Sequence, residues 1–473
     1  MTHELRIIIE KVSVSSQEVV KRDTIKVYDI QAPEAITGLG LRHSEQISLL
    51  EKVQNALLAE QSILINTGVD DCPNCGGKLK KFGYRESDFH AVFSDHKLRV
   101  QKHICNHAEC GWQSAPSIKA LFGTSIHPDL AKLQCEQGAF YSYREAEQNL
   151  EKLNCQPRRV NNHTQVKRIT NKVGEVISEQ NCQPPLLAEC APPAKDLIVQ
   201  VDGGHIPIQE KNKRSFEALA AIVYRPENLQ VVDKHHRQLV SKTCVISAKE
   251  DKLQTSKTYV INAALKQGIS LDTHVTALAD GASNCWSVLA ALQPYSGRSE
   301  YILDWFHIGK KFQNVQQTLG EAFKEPLNSA KWKLWHGLPN EALIKLALLQ
   351  DNISDDKKRS KLVELYNYIK GNRTYIVNYE ARAQANQTYT SQVAESHIES
   401  LINARQKRSK KMQWTREGAH QVLQIRAKME SKEWQHQWQA TVLSAPGQTH
   451  LVNKEQIQQI IEKICSKFLL LRM

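Results

Sequence analysis

The sequence has no apolar run that reaches the roughly 18 uninterrupted residues needed to cross a bilayer, and its C-terminal FLLL belongs to a short amphipathic stretch. The N-terminus, MTHELRIIIEKVSVSS, carries charges inside its only apolar run and lacks the three-part layout of a signal peptide. These absences argue against a membrane protein and predict a cytoplasmic one. In that reducing compartment the 11 cysteines do not read as a disulfide framework. A repeat of about 20 to 50 residues is also missing, which argues against solenoids and propellers. Acidic residues are the scarcer charge, 50 against 62 basic ones for a net of +12, a balance that favours a polyanionic partner, with DNA or RNA first. A chain of 473 residues exceeds what one core usually supports, so about two to four domains are expected.

What is present divides the chain in two. LRIIIEKVSV and DTIKVYDI alternate as the strands of a hairpin, and from Ser44 the apolar residues Ile47, Leu50, Val53, Leu57 and Leu58 recur at helical spacing. Next come CPNCGG and HICNHAEC, with strand-like FHAVF and KLRVQKHI between them. Cys72 and Cys75 with Cys105 and Cys110 can present four thiolates tetrahedrally to a structural Zn²⁺, the zinc-ribbon arrangement, with His107 able to replace one cysteine. The other seven cysteines show no such pairing. SYREAEQNLEKL and VNNHTQVKRITNKVGEVI read as two helices around a turn at Asn154 to Pro157. Arg158, Arg159, Lys167 and Arg168 lie on or beside the second helix, a pattern that fits a helix-turn-helix or a helical hairpin with a solvated basic face. QPPLLAECAPPAK, with four prolines and no periodicity, reads as a linker.

After the linker the pattern is α/β. DLIVQVDGGHIPI, SFEALAAIVYR and NLQVVDKH are expected as successive strands, TYVINAALKQG as a helix, then HVTALAD and EYILDWF as strands. Three apolar segments end in an acid, at Asp202, Asp280 and Asp304. Carboxylates gathered at one sheet edge stay ionised together only with cations between them, which points to a two-ion Mg²⁺ or Mn²⁺ site for phosphate chemistry. Asp202 suits the bridging position, with Gly203 and Gly204 expected to leave room for a phosphate backbone. Taken singly, each aspartate reads more readily as the cap of a following helix than as a site residue, and only the set points to a site. In VAESHIESLINARQKRSKKMQW, Glu395 lies nearer than Glu399 to the centre of the apolar stripe and is the better ligand. Arg405, Lys407, Arg408, Lys410 and Lys411 follow as a basic tract suited to a phosphate backbone.

The order VDGG, ADGA, DWFH and AESHIESLINARQKRSKKMQWTREGAHQVLQIRA resembles insertion-sequence DDE transposases of the Mutator-like and ISKra-type group, over about residues 195 to 430. The resemblance implies an RNase H-like catalytic core interrupted by a helical insertion, with Asp202, Asp280 and Glu395 as the metal-binding triad. Asp304 and His307, in DWFH, would be accessory residues near the scissile phosphate, and Asp304 instead of Asp280 is the alternative second acid. His205 and His307 would orient a ligand or phosphate. The activity implied is metal-dependent cleavage at transposon ends and strand transfer into target DNA, by a homo-oligomer holding two ends. An inactive DNA-binding regulator of the same descent and an RNase H-like nuclease without joining activity are the rivals. The expected layout is 1–68 hairpin and helix, 69–125 zinc ribbon, 126–182 helical DNA-binding region and 183–195 linker. The catalytic half would follow as 196–310 core, 311–390 helical insertion, 391–430 core helix with its basic tract and 431–473 helical tail.

Overall fold

Alternating apolar residues near the N-terminus pair as an antiparallel hairpin, β1 (His3–Val12) with β2 (Val19–Ile30), and helix α1 (His43–Ile65) follows. This is a computed structural model, and it describes residues 3–30, 32–66, 71–114, 117–154, 156–231, 237–391, 399–409 and 412–444. Contacts sort the chain into two compact units. The first holds Met1–Gly138, Tyr143–Ile169 and Trp438–Met473, and the second Ala139–Ser142 and Thr170–Gln437.

In the first unit, β3 (Leu79–His90) and β4 (Asp95–Cys105) form a long antiparallel hairpin whose register shifts between Lys81 and Tyr84, where Gly83 takes a positive φ. Leu98 and Val100 of β4 bury against Leu58 of α1 and Ile118 of the short helix α2 (Ile118–Phe122). Helices α3 (Pro128–Phe140), α4 (Tyr143–Glu151) and α5 (His163–Asn181) come next. The two helices expected around the Asn154 to Pro157 turn are therefore present as α4 and α5.

The second unit is built on a five-stranded mixed sheet of order β11-β10-β5-β6-β9. Its strands are β5 (Asp196–Pro207), β6 (Ser215–Tyr224), β9 (Thr243–Ser247), β10 (His274–Ala279) and β11 (Arg298–Leu303). The pairs β5–β6 and β6–β9 are antiparallel, and β5–β10 and β10–β11 are parallel. Between β6 and β9 lies a separate small hairpin, β7 (Leu229–Val231) with β8 (Arg237–Leu239). NLQVVDKH is thus not the third core strand. TCVIS is, a fully buried run too short to show a period.

One sheet face, with Leu197, Val199 and Val201 of β5, packs on α6 (Gln254–Lys266) and α7 (Ser283–Ala290). Beyond β11 the chain is helical as expected, in α8 (Trp305–Leu319), α9 (Lys324–Trp335), α10 (Pro339–Asp351), α11 (Asp356–Gly371) and α12 (Tyr379–Gln384). Trp305, Trp335, Tyr379 and Tyr389 form an aromatic cluster that ties α8, α9 and α12 together. Helix α13 (Arg416–Glu430) is buried on every side from Gly418 to Lys428, and α14 (Trp434–Ser444) follows. The proline-rich stretch is no free spacer. Ala191 and Ala194 N–H donate to Lys266 and Gly268 carbonyls, and the boundary between units falls instead at Ile169, inside α5.

Candidate active site

The register of β5 and β10 pairs Val201 with Ala279, so Asp202 and Asp280 are the next residues along two adjacent parallel strands. Such strands lie about 4.8 Å apart, which sets the two acids side by side at the level where β10 stops and β5 continues with β6. Asp202 is partly buried and accepts from the Gly203 N–H at 2.7 Å. Burial pushes its carboxyl above the usual range, the charge of His307 and the Gly203 N–H pull it back, and Asp280 and Asp304 push it up again. Asp280 turns the chain into α7. Its Oδ1 accepts from Ala282 N at 2.9 Å, and its carbonyl accepts from the Tyr368 hydroxyl at 2.8 Å.

Asp304 behaves differently from the other two. It is 1% exposed, and it caps α8 by accepting from Phe306 N–H at 3.2 Å. Its Oδ1 also takes the Ser391 N–H at 2.8 Å, while Oδ2 takes the Ser391 hydroxyl and His307 Nδ1, the latter at 2.7 Å. A carboxylate offers about four acceptor positions, and all are engaged, so Asp304 has none left for a cation. Asp280 is the acid placed beside Asp202. Asp304 instead orients His307, whose Nε2 lies 4.0 Å from Asp202 Oδ2. Burial lowers the affinity of His307 for a proton, but the hydrogen bond and charge of Asp304, with the charges of Asp202 and Asp280, raise it above the ordinary imidazole value.

Glu395 lies outside the described residues, as do Lys410 and Lys411. The described residues resume at Glu399. A π-helical turn at Glu399–Asn403 buries Leu401 and Ile402, as the apolar stripe predicted, and the Ile402 side chain fills the space over Gly204. A Cβ at Gly203 would likewise meet the Glu217 carboxylate. The two glycines therefore admit this chain's own side chains, not a phosphate backbone. Glu217, on β6, is a site residue that sequence reading missed, because a single acid in SFEALAAIVY reads as the polar position of a half-buried strand. Burial raises its carboxyl, with His205 opposing and Asp280 adding to the rise.

Two expected DNA contacts are not surface groups. Arg405 is 1% exposed, with its guanidinium over the Trp414 ring at 4.7 Å. Arg158 donates to the carbonyls of Val92, Ala91 and Ser94 and pairs with Asp95, tying the β3–β4 turn to the chain before α5. In both, the guanidinium serves packing because its flat, multidonor shape suits buried oxygens and rings. Arg159, Lys167, Arg168, Lys407 and Arg408 are exposed.

Among the described residues, ligand atoms of three or more metal-binding side chains come within 4.8 Å of one another only at Cys72, Cys75, Cys105 and Cys110. The carboxylates are spread more widely. The sulfurs of Cys75 and Cys105 are 3.5 Å apart and those of Cys72 and Cys110 3.8 Å, while His107 stays outside the set. Gly76 and Gly111, each following a cysteine, adopt positive φ and let the chain turn back under the sulfurs. His107 N–H and Asn74 Nδ2 donate to Cys105 and Cys110 Sγ. This group can hold a structural metal ion such as zinc. The far part of the β3–β4 hairpin is held by Leu98 and Val100, so loss of metal is expected to unfold the two cysteine turns, not the whole hairpin. Zinc analysis should give one ion per chain, and Cys110→Ser should lose it along with a low-temperature unfolding step.

A model of an uncharacterised protein family, UPF0236, matches residues 124–439, which takes in the whole sheet and both aspartates but not the four cysteines. No curated protein matches the chain.

Proposed function

The chain belongs to that uncharacterised family, and we propose that it is a DDE transposase, cutting DNA at the ends of a mobile element and joining them to target DNA. The observation that carries this reading is the placement of Asp202, inside β5 where its parallel pairing with β10 stops, beside Asp280, the residue that follows β10, with the helical turn Glu399–Asn403 packed on β5. The sheet supports an RNase H-like core, since three antiparallel strands followed by two parallel to the first set β5 and β10 side by side. The donor set is all-oxygen, which suits Mg²⁺ or Mn²⁺. When bound, two such ions would activate the attacking oxygen and stabilise the leaving one.

Asp202 would be shared between the ions, with Asp280 and Glu395 each holding one side. His307, held by Asp304, presents Nε2 toward Asp202 and orients that carboxylate or the phosphate beside it. The four-cysteine hairpin would be a zinc ribbon, and with the exposed Arg159, Lys167 and Arg168 of the first unit it would recognise the ends. Lys407 and Arg408 would meet the backbone near the cut. A dimer or larger assembly would hold two ends, and the protein would work in the cytoplasm.

The test is cleavage and joining of a labelled duplex carrying the element's end, by the full chain with Mg²⁺ or Mn²⁺, against Glu395→Gln. Strand transfer that the variant loses, with DNA binding kept, is the expected result. Cleavage without joining would indicate a nuclease, and binding alone in both proteins a regulator.

A further inference from the structure

Asp280 stands on a turn, and a metal-binding carboxylate on a turn needs support from residues around it. The insertion supplies part of it. Tyr368 of α11 holds the Asp280 carbonyl, and Gly281, at φ +99°, has Asn372 and Tyr368 so close that a Cβ would collide with them. The opposite support comes through the sheet. Glu217 pairs in register with His205, and the pleat puts its side chain on the face of Gly203, away from Asp202. There the carboxylate occupies the space over Gly203 and accepts from Asn284 Nδ2 at 2.5 Å. Asn284 in turn accepts from Cys285 N–H at 2.8 Å, inside the first turn of α7. The segment 280–284 is thus fastened to β6 by one side-chain hydrogen bond that crosses β5 at a residue with no side chain.

We propose that Glu217 is a positioning residue for Asp280, acting through Asn284 to fix the turn that carries the second triad acid beside Asp202. This rests on the transposase reading only in taking Asp280 as a cation ligand. A carboxylate serves here because it accepts a charge-assisted hydrogen bond, shorter and stronger than an amide would give, and its reach spans the β5 backbone.

The test is Mn²⁺ binding by the zinc-loaded full chain, followed by electron paramagnetic resonance of the free ion. Glu217→Ala should weaken Mn²⁺ about 10- to 100-fold, the usual cost of removing a supporting partner. Asn284→Ala should do the same, and the double variant should be no weaker than either single one, as for residues acting in series. Glu217→Gln keeps an acceptor and should recover affinity to within about threefold of the parent. Circular dichroism at the same temperature verifies that each variant is folded. Parent-like affinity in Glu217→Ala, additivity in the double variant, or a Gln variant as weak as Ala would each overturn the positioning role. A parent that binds no Mn²⁺, or an Asp280→Asn variant that binds as the parent does, would overturn the cation site itself.

Discussion

Asp202→Asn is expected to reduce metal-dependent strand cleavage by about 10³-fold or more and, in the same protein, to raise the melting temperature measured without divalent cation. The first effect follows from removing the carboxylate that both ions would share. The second follows from what burial does to this group. Its carboxyl is pushed up by burial first, then relieved by His307, then pushed further by Asp280 and Asp304. A carboxyl whose value is higher in the folded chain than in the unfolded one favours folding only where it is protonated. That contribution is complete below the ordinary value of 3.8 and is lost as pH rises through the folded value. At neutral pH the ionised group therefore opposes folding, and an amide of the same shape removes the opposition. His307 acts in the same sense: its raised value favours folding while it is charged, and that too is lost as pH rises through the folded value. Millimolar Mn²⁺ should raise the melting temperature more at about pH 8 than at about pH 6, because His307, whose affinity for a proton lies above that of an ordinary imidazole, opposes a cation beside Asp202 while it is charged. A melting temperature that falls in Asp202→Asn, or an Mn²⁺ effect larger at the acidic end, would mean that the carboxylate is satisfied by the protein itself, and the site would be lost with it.

The part of this site legible in the sequence is the part in which a local pattern decides a local structure. IVQV before Asp202 and VTALA before Asp280 are buried strand segments each followed by an acid, and their parallel pairing makes the acids neighbours, although β5 itself runs on to Pro207. CPNCGG and CNHAEC, the latter from Cys105 to Cys110, likewise set a hairpin with four sulfurs in reach. Burial that depends on partners far along the chain was not legible. Arg405 and Lys407 stand two residues apart in one basic tract, yet one is sealed under Trp414 and the other is exposed. Gly203 and Gly204 looked like open backbone, and only the folded chain shows Glu217 and Ile402 over them. Asp304 belongs to the same class, since its saturation depends on Ser391, 87 residues away.

Arg426→Met is expected to destabilise the protein by about 3 kcal/mol or more and to lower cleavage further than that loss explains. Helix α13 carries Arg426 within its fully buried stretch, where the guanidinium donates through Nε to the Leu401 carbonyl at 2.8 Å and through Nη1 to Ala139 at 2.9 Å. Its Nη2 donates to the Ser400 carbonyl. Burial pulls its pKa down to about 10, with Glu430 opposing, so the group remains charged at neutral pH. Two of its three acceptors belong to the π-helical turn Glu399–Asn403, which follows the expected catalytic Glu395 and covers Gly204 beside Asp202. Methionine matches the length and apolar character of the stem but donates nothing, so buried carbonyls lose their partner and the turn loses its tie to α13. Lysine is a poor substitute, because one ammonium cannot meet acceptors spread around a planar fork. Urea denaturation gives the stability term, and single-turnover cleavage well below the melting temperature gives the rate term. If Arg426→Met costs less than about 1 kcal/mol, or if cleavage by the folded fraction equals that of the parent, the turn Glu399–Asn403 is held by its own packing of Leu401 and Ile402 and does not depend on α13.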